Sequence, residues 1–499
     1  MKTVSLRNAP GKLQVGLKYG VLLADWIWIS LILLAASIWA IAHRSIESPE
    51  SKGASLSWFW FTLPIFLVWS IYLLVFWPGS MTTDSLGQWR EVVSGQFTDF
   101  HPAFHTLSIW LITRLWFSPA AVALAQILAL SGLVGWGVSL FHRWGAPGWL
   151  TWLVVGLMAI SPVNGMMIVT LWKDIPYSIS IVALTLLVLL MIKSEGKWIE
   201  KRLAWMILGA IAALTALYRH NGIVAAFGTL GCLLLAYRNH WKRLLGALLL
   251  AIGFWWGVRG PLYNLLGVPQ SQGSLFWGIS SVYVIDRQLA SGIPLLEDEK
   301  AFLSQVYPLK PGWPYDCYNL NKILEDGRLD TTFVAAHGTE LARLALSLTL
   351  RNPTETFNHL ICHNAYIFQI TQPPRSGYEY APGKIYNNSL GLENNSKLPE
   401  LRSLILATMQ KTSPRQWSWL IWRTAFWTYL LIFASMIASF RANSWKYLII
   451  LTPILFNDLS LLFSSGIQSF RYVYPAMLIS ILMSGYLILL PARIPESQR

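Results

Sequence analysis

Apolar residues in this chain fill whole stretches instead of alternating with polar ones. A run of about 20 apolar residues, wound as a helix, crosses the roughly 30 Å of hydrocarbon in a bilayer. Eleven runs read this way: 21–42, 57–77, 119–141, 147–168, 175–192, 204–218, 223–237, 244–262, 417–440, 447–465 and 472–490. Two long stretches interrupt them, 78–118 and 263–416. The pattern predicts an all-α polytopic membrane protein. Residues 1–262 form an N-terminal transmembrane module with a first external loop at 78–118, and residues 417–499 supply the last transmembrane helices. The first run, from Val21, is too long and lacks the small-residue pattern of a cleaved signal peptide.

Composition agrees. Of 499 residues, 54% are apolar or aromatic and 12% charged, about half the charge of an ordinary soluble domain. Surfaces of soluble domains could not be covered from that stock. The 38 Lys and Arg against 24 Asp and Glu give +14. They sit singly at the ends of apolar runs and form no basic stripe, which excludes a nucleic-acid groove and is what the positive-inside rule leaves behind.

That rule orients the chain. Short connections carrying Arg44, Lys52, Arg143, Lys193, Lys197, Lys201, Arg202, Arg238, Lys242, Arg243, Arg441, Lys446, Arg493 and Arg499 share one side, the cytoplasm. The stretches 78–118 and 263–416 then face outward. Eleven spans put the N-terminus outside as well, against the rule, since it holds Lys2, Arg7, Lys12 and Lys18.

Stretch 263–416 carries as many acids as bases, and Pro, Gly and Asn punctuate it. Helical patterns at 296–307, 331–350 and 353–369 predict a small, mainly helical extracytoplasmic domain. Cys317 and Cys362 both fall there, and spacing leaves their pairing open; Cys232 belongs to an apolar run. Asn387-Asn388-Ser389 and Asn394-Asn395-Ser396 match the glycosylation sequon.

Ionisable residues at membrane depth are costly, and four groups stand out on the external side. Asp84, after Trp77-Pro78-Gly79, is either a helix cap or a general base at the membrane surface. In Asp99-Phe100-His101-Pro102-Ala103-Phe104-His105, the two histidines four residues apart would share a helix face. With Asp99 they could hold a divalent metal ion, or they belong to an interfacial helix. Lys173-Asp174 is a self-neutralised pair or a polar site. Arg471, in Phe470-Arg471-Tyr472, either snorkels or grips a phosphate through its planar fork; Arg219-His220-Asn221 is a weaker case of the same kind.

These motifs, in this order and on one side, resemble the GT-C superfamily of polytopic glycosyltransferases that use polyprenyl-phosphate sugars. Thr82-Thr83-Asp84-Ser85 is similar to the superfamily's catalytic Asp of the first external loop. Asp99-Phe100-His101-Pro102 resembles the Asp-x-His-Pro-Pro element of the protein O-mannosyltransferase branch, with Ala103 in place of the second Pro. Phe470-Arg471-Tyr472 with Pro475 resembles the Arg-Tyr pattern opening a late span. Trp172-Lys173-Asp174 and Arg219-His220-Asn221-Gly222 are similar to runs in uncharacterised bacterial members.

The resemblance implies an inverting transfer of sugar from a polyprenyl-phosphate lipid to an acceptor hydroxyl on the outer leaflet of a bacterial plasma membrane. Asp84 would be the base. Arg471, Lys173 and Tyr472 would hold the donor phosphate, and Asp99, His101, His105, Asp174 and Arg219 would serve the acceptor or an accessory cation. Identity of a glycan, lipid or protein acceptor is not implied. The rival is a flippase of a lipid-linked saccharide, which predicts inverted repeats and broken midplane helices; the hydropathy pattern shows neither.

Overall fold

Uncharged apolar residues from Trp58 to Val75 wind the first helix, α1 (Trp58–Val75), with the Ser57 hydroxyl accepting from the Phe59 amide at its start. The computed structural model describes residues 57–269, 273–373, 382–413 and 415–489. The expected span 21–42, the N-terminal bases, and Arg44, Lys52, Arg493 and Arg499 lie outside the described residues. All regular structure among the described residues is helical, with three isolated β-bridges.

Beyond α1, the amphipathic α2 (Thr83–Ser94) ends on Gly95, and α3 (Ala103–Thr113) is the short apolar helix of the stretch 78–118. There follow α4 (Pro119–Arg143), α5 (Gly148–Ile160), α6 (Pro162–Ile168) and α7 (Asp174–Lys193). Next come α8 (Ala204–Tyr218), α9 (Gly222–Ala236) and α10 (Trp241–Gly257). Outside the bundle lie α11 (Gly273–Ala290), α12 (Glu297–Val306), α13 (Gly338–Arg351) and α14 (Pro353–His363), and α15 (Pro399–Thr412) leads back to it. The chain returns through α16 (Ala425–Arg441), α17 (Thr452–Ser464) and α18 (Phe470–Leu489).

The protein is an all-α membrane protein. Among the described residues six helices are long and apolar enough to cross a bilayer: α1, α4, α7, Arg238–Leu265 (which includes α10), Trp445–Ser464 (which includes α17) and α18. The pair α5 and α6 makes a seventh if its 58° bend is counted as one span. Pro162 causes that bend, having no amide hydrogen to continue the ladder. Expected spans 204–218 and 223–237 fall on α8 and α9, each 15 residues and so about 22 Å long. Expected span 417–440 is divided before α16, which has 17 residues. Apolar composition marked these stretches; helix breaks shortened them.

α7 and α18 are the most enclosed spans, 83% and 78% buried, while α1 is 28% buried and presents Trp58, Trp60, Leu67 and Ile71 outward. α7 packs on α4, α8 and α18, so its first turn sits at the middle of one end of the bundle. Ends of α1, α6 and α8 and starts of α4, α9 and α18 meet there. Bases gather at the opposite end, where Lys446 stands 4.4 Å over the Tyr237 ring, Lys193 5.6 Å over Trp144, and His240 3.3 Å from Glu200.

Stretch 263–416 divides in two. Helices α11 to α13, with the short helix Thr331–Ala336, bury a separate core of Val282, Ile285, Leu303, Val306, Val334, Leu341 and Leu348, and Cys317 and Cys362 are joined by a disulfide within this unit. Residues 384–397 instead run as a strap along the end of α1, and Ile405 and Met409 of α15 join the bundle's core. Strap and helix exchange backbone hydrogen bonds: Met81 to Lys384, Tyr386 to Met81, Asn395 to Trp77 and Lys397 to Leu74. Asn394 is consumed here, its amide donating to the Gly79 carbonyl at 3.0 Å and its carbonyl accepting from the Ile385 amide at 2.6 Å. The sequon at Asn394 is therefore a structural clasp. Asn387 of the other sequon is exposed.

Candidate functional site

Asp84 reaches the centre of the bundle end where α7 and α18 begin because two short segments are pinned together. Ser80 bridges Thr170 in parallel, and the Trp172 indole donates to the Thr82 hydroxyl at 2.8 Å. Gly79 permits the approach: at its φ of +132° a Cβ would stand 2.9 Å from Leu171 and 3.1 Å from the Val169 carbonyl. No L side chain takes that place without strain. The pairing brings the residues after α1 against Trp172-Lys173-Asp174 at the start of α7.

Five charged side chains then converge. Arg471 donates through Nη1 to Asp84 Oδ2 at 2.9 Å, and its Nε lies 3.8 Å from Asp174 Oδ2. Arg219 Nη1 is 2.9 Å from Asp174 Oδ1, and Lys173 Nζ is 3.7 Å from Asp84 Oδ2. Aromatic faces line the guanidinium groups. Arg471 lies 4.9 Å from the Trp172 ring, while Tyr472 sits between Arg219 at 4.7 Å and Arg471 at 5.1 Å and accepts from Arg471 at 3.2 Å. Asp174 is fully buried and Asp84 a quarter exposed. Three cations thus face two carboxylates, and the surplus positive charge suits an anionic ligand.

The helix-cap reading of Asp84 does not hold, because Asp84 lies inside the first turn and turns to Arg471. Burial pushes its carboxyl up. Arg471, then Lys173 and His101, outweigh burial and hold it well below the usual carboxylate range, so it is ionised as the site stands. Loss of the Arg471 contact would raise its proton affinity.

His101 belongs to the cluster. Lys173 Nζ is 3.1 Å from its Nδ1, which must accept, since an ammonium only donates. The ring hydrogen is then on Nε2, 3.8 Å from Asp84 Oδ1. Burial first, then Lys173, lowers its pKa to about 4.

His105 and Asp99 go elsewhere. α3 begins at Ala103 with Pro102 as its N-cap, so His101 precedes the helix and the two histidines share no face. His105 is buried, 3.0 Å from Gln88 Oε1, with its pKa lowered to about 3 mainly by burial. Asp99 accepts from Arg259 at 2.5 Å and from the Ala103 amide at 3.0 Å, and its carbonyl is 3.1 Å from His220 Nε2. It anchors the loop that carries His101. Among the described residues no three His, Cys, Asp or Glu side chains converge as metal ligands.

Several supporting residues were not anticipated. Trp172 and Thr82 set the register; Arg259 sits in a π-helical turn, Val258–Leu262, that contains Pro261. Asn457 accepts from the Tyr177 hydroxyl at 2.8 Å and donates to the Tyr472 carbonyl at 3.2 Å, tying α17 to α7 and α18 beside the cluster. Asn457-Asp458, polar inside the apolar run 447–465, was the readable signal for it. A cavity of about 500 Å³ lies at the rim, lined by Trp77, Trp89, Phe117, Leu390, Leu392 and Glu393.

No protein family, curated protein or solved structure matches the chain.

Proposed function

We propose that the chain is a glycosyltransferase that moves a sugar from a polyprenyl-phosphate donor to an acceptor hydroxyl, with inversion, at the outer face of a bacterial plasma membrane. The observation that carries this reading is the cluster itself: a carboxylate beside surplus cations at the end of the bundle away from its basic loops. A phosphate is the anion a guanidinium fork fits best. In the reaction the acceptor oxygen attacks the anomeric carbon, the bond from that carbon to the phosphate oxygen breaks, the electron pair stays on the phosphate, and Asp84 receives the acceptor proton. Donor phosphate draws Arg471 away from Asp84, which makes Asp84 a better base at the moment a base is required. Asp174, with Arg219, keeps the Arg471 fork from collapsing onto a single partner. The reading includes eleven spans, the first of them 21–42.

Binding of polyprenyl phosphate tests it. Ligand that binds only the folded form stabilises by about 2.7 kcal/mol at a hundred times Kd, so added polyprenyl phosphate raises the thermal midpoint of purified protein. Polyprenol without phosphate does not. Equal shifts from both would mean that the cluster takes no phosphate.

Orientation has its own test. In a Cys232→Ser background, Ser389→Cys on the strap reacts with an impermeant maleimide in intact cells, while Glu200→Cys does not. The reverse pattern would put the site in the cytoplasm.

The alternative, movement of a lipid-linked saccharide across the bilayer, draws on the 58° break between α5 and α6, since transporters use broken helices. Release of sugar to a soluble acceptor, as against appearance of intact lipid on the far side of a vesicle, separates the two.

A further inference from the structure

Residues 465–469, between α17 and Arg471, have no regular structure, and several of their polar groups are anchored from the external unit. The Leu320 amide donates to the Gly466 carbonyl at 2.8 Å, and Asn319 bridges Ile467. Gln468 is buried, and its amide donates to the Cys362 carbonyl at 3.0 Å and the His363 carbonyl at 2.8 Å. His363, also buried, has Nδ1 2.9 Å from the Cys317 carbonyl and Nε2 2.9 Å from the Ser465 carbonyl. Asn364 donates to the Leu462 carbonyl at 3.2 Å. Gly466 packs so tightly that an added Cβ would stand 2.2 Å from Asn321 Oδ1. Every one of these anchors belongs to one of two segments, 319–321 with Cys317 or 362–364, which lie 45 residues apart in sequence where the Cys317–Cys362 disulfide joins them.

We propose that the disulfide-joined segments and Gln468 act as a clamp that positions Arg471, so that the external unit sets the geometry of the anion site. Gln468 is a positioning residue: it lies three residues before Arg471 and acts through the backbone. A loop held from two sides keeps α18 in register; freed from one, it lets the first turn of α18 shift. A displacement of 1 Å at such a site is enough to cost about 10²-fold in rate. An oxidising compartment is required for the clamp to close, in keeping with an external position. The inference rests on the reading of Arg471 as a phosphate ligand, but part of its test does not.

The test uses full-length protein in detergent micelles: wild type, Gln468→Met, and Cys317→Ser with Cys362→Ser. Backbone hydrogen exchange over 464–472 is followed, together with polyprenyl-phosphate affinity and the thermal midpoint. Expected are faster exchange over 464–472 in both variants and in reduced wild type, and at least a roughly ten-fold loss of phosphate-lipid affinity in Gln468→Met, whose midpoint stays near that of wild type. Gln468→Met keeps the disulfide and serves if the double serine variant does not fold. Unchanged exchange over 464–472 in Gln468→Met overturns the clamp. Faster exchange with unchanged phosphate-lipid affinity also overturns it, because the loop would then not govern the site. Wild type that binds no polyprenyl phosphate fails the glycosyltransferase reading, and exchange still decides whether the loop is held this way.

Discussion

Asp84→Asn abolishes sugar transfer while leaving donor binding measurable. A positioned general base contributes about 10²–10⁴-fold, and the carboxamide cannot take up the acceptor proton. Its shape is nearly unchanged, and its carbonyl oxygen still accepts the bond that Arg471 donates to Asp84 at 2.9 Å. The variant therefore folds, and the cluster keeps three cations with Asp174 as the remaining carboxylate. Competition for Arg471 weakens, so the phosphate lipid binds at least as tightly as in wild type. Transfer rate and donor affinity, measured on one preparation, check the pair of effects. A variant with half the wild-type rate would take Asp84 out of the chemistry.

Substitution of Arg471 has the opposite signature. Arg471→Lys keeps a positive charge but loses the fork that now spans Asp84, Asp174 and Tyr472. A charge-assisted hydrogen bond is worth about 1.5–3 kcal/mol, so donor affinity falls roughly 10- to 150-fold. Arg471→Ala is worse on both counts. It removes the phosphate's main counter-charge, and it leaves Asp84 with Lys173 at 3.7 Å and His101 at 3.8 Å as its partners. Removal of one member of a buried ion pair costs about 3–5 kcal/mol; with Asp84 a quarter exposed the loss here is smaller. Donor titrations decide the matter. Equal affinity for wild type and Arg471→Lys would return Arg471 to a snorkelling side chain.

Much of this arrangement is readable in the chain before any fold is known. A polar residue in an apolar run has a high cost, so Lys173, Asp174, Arg219 and Arg471 announce themselves, and the order of spans puts them at one end. Who meets whom is another matter. Arg471 and Asp84 are 387 residues apart, and no local rule pairs them. Asp99 and His105 look equivalent to Asp84 and His101 in sequence, yet Asp99 turns to Arg259 and His105 to Gln88. The start of α3 at Ala103 decides this: one residue of helix fewer before His105 moves His101 off its face. Helix lengths depart from the apolar runs for a related reason. Hydropathy measures composition, and it cannot see the break at Pro162 or the end of α8 at Arg219, where the chain leaves the helix to deliver the guanidinium to Asp174. The strap was hidden as well, because its clasp is one asparagine meeting backbone carbonyls more than 300 residues away.

The most direct measurement incubates purified, oxidised protein with a polyprenyl-phosphate lipid carrying a labelled sugar and a panel of hydroxyl acceptors. The account predicts label on an acceptor with the anomeric configuration inverted and free polyprenyl phosphate released in equal amount, and neither product with Asp84→Asn. Label that stays on the lipid, and merely changes sides when the protein sits in vesicles, would contradict it.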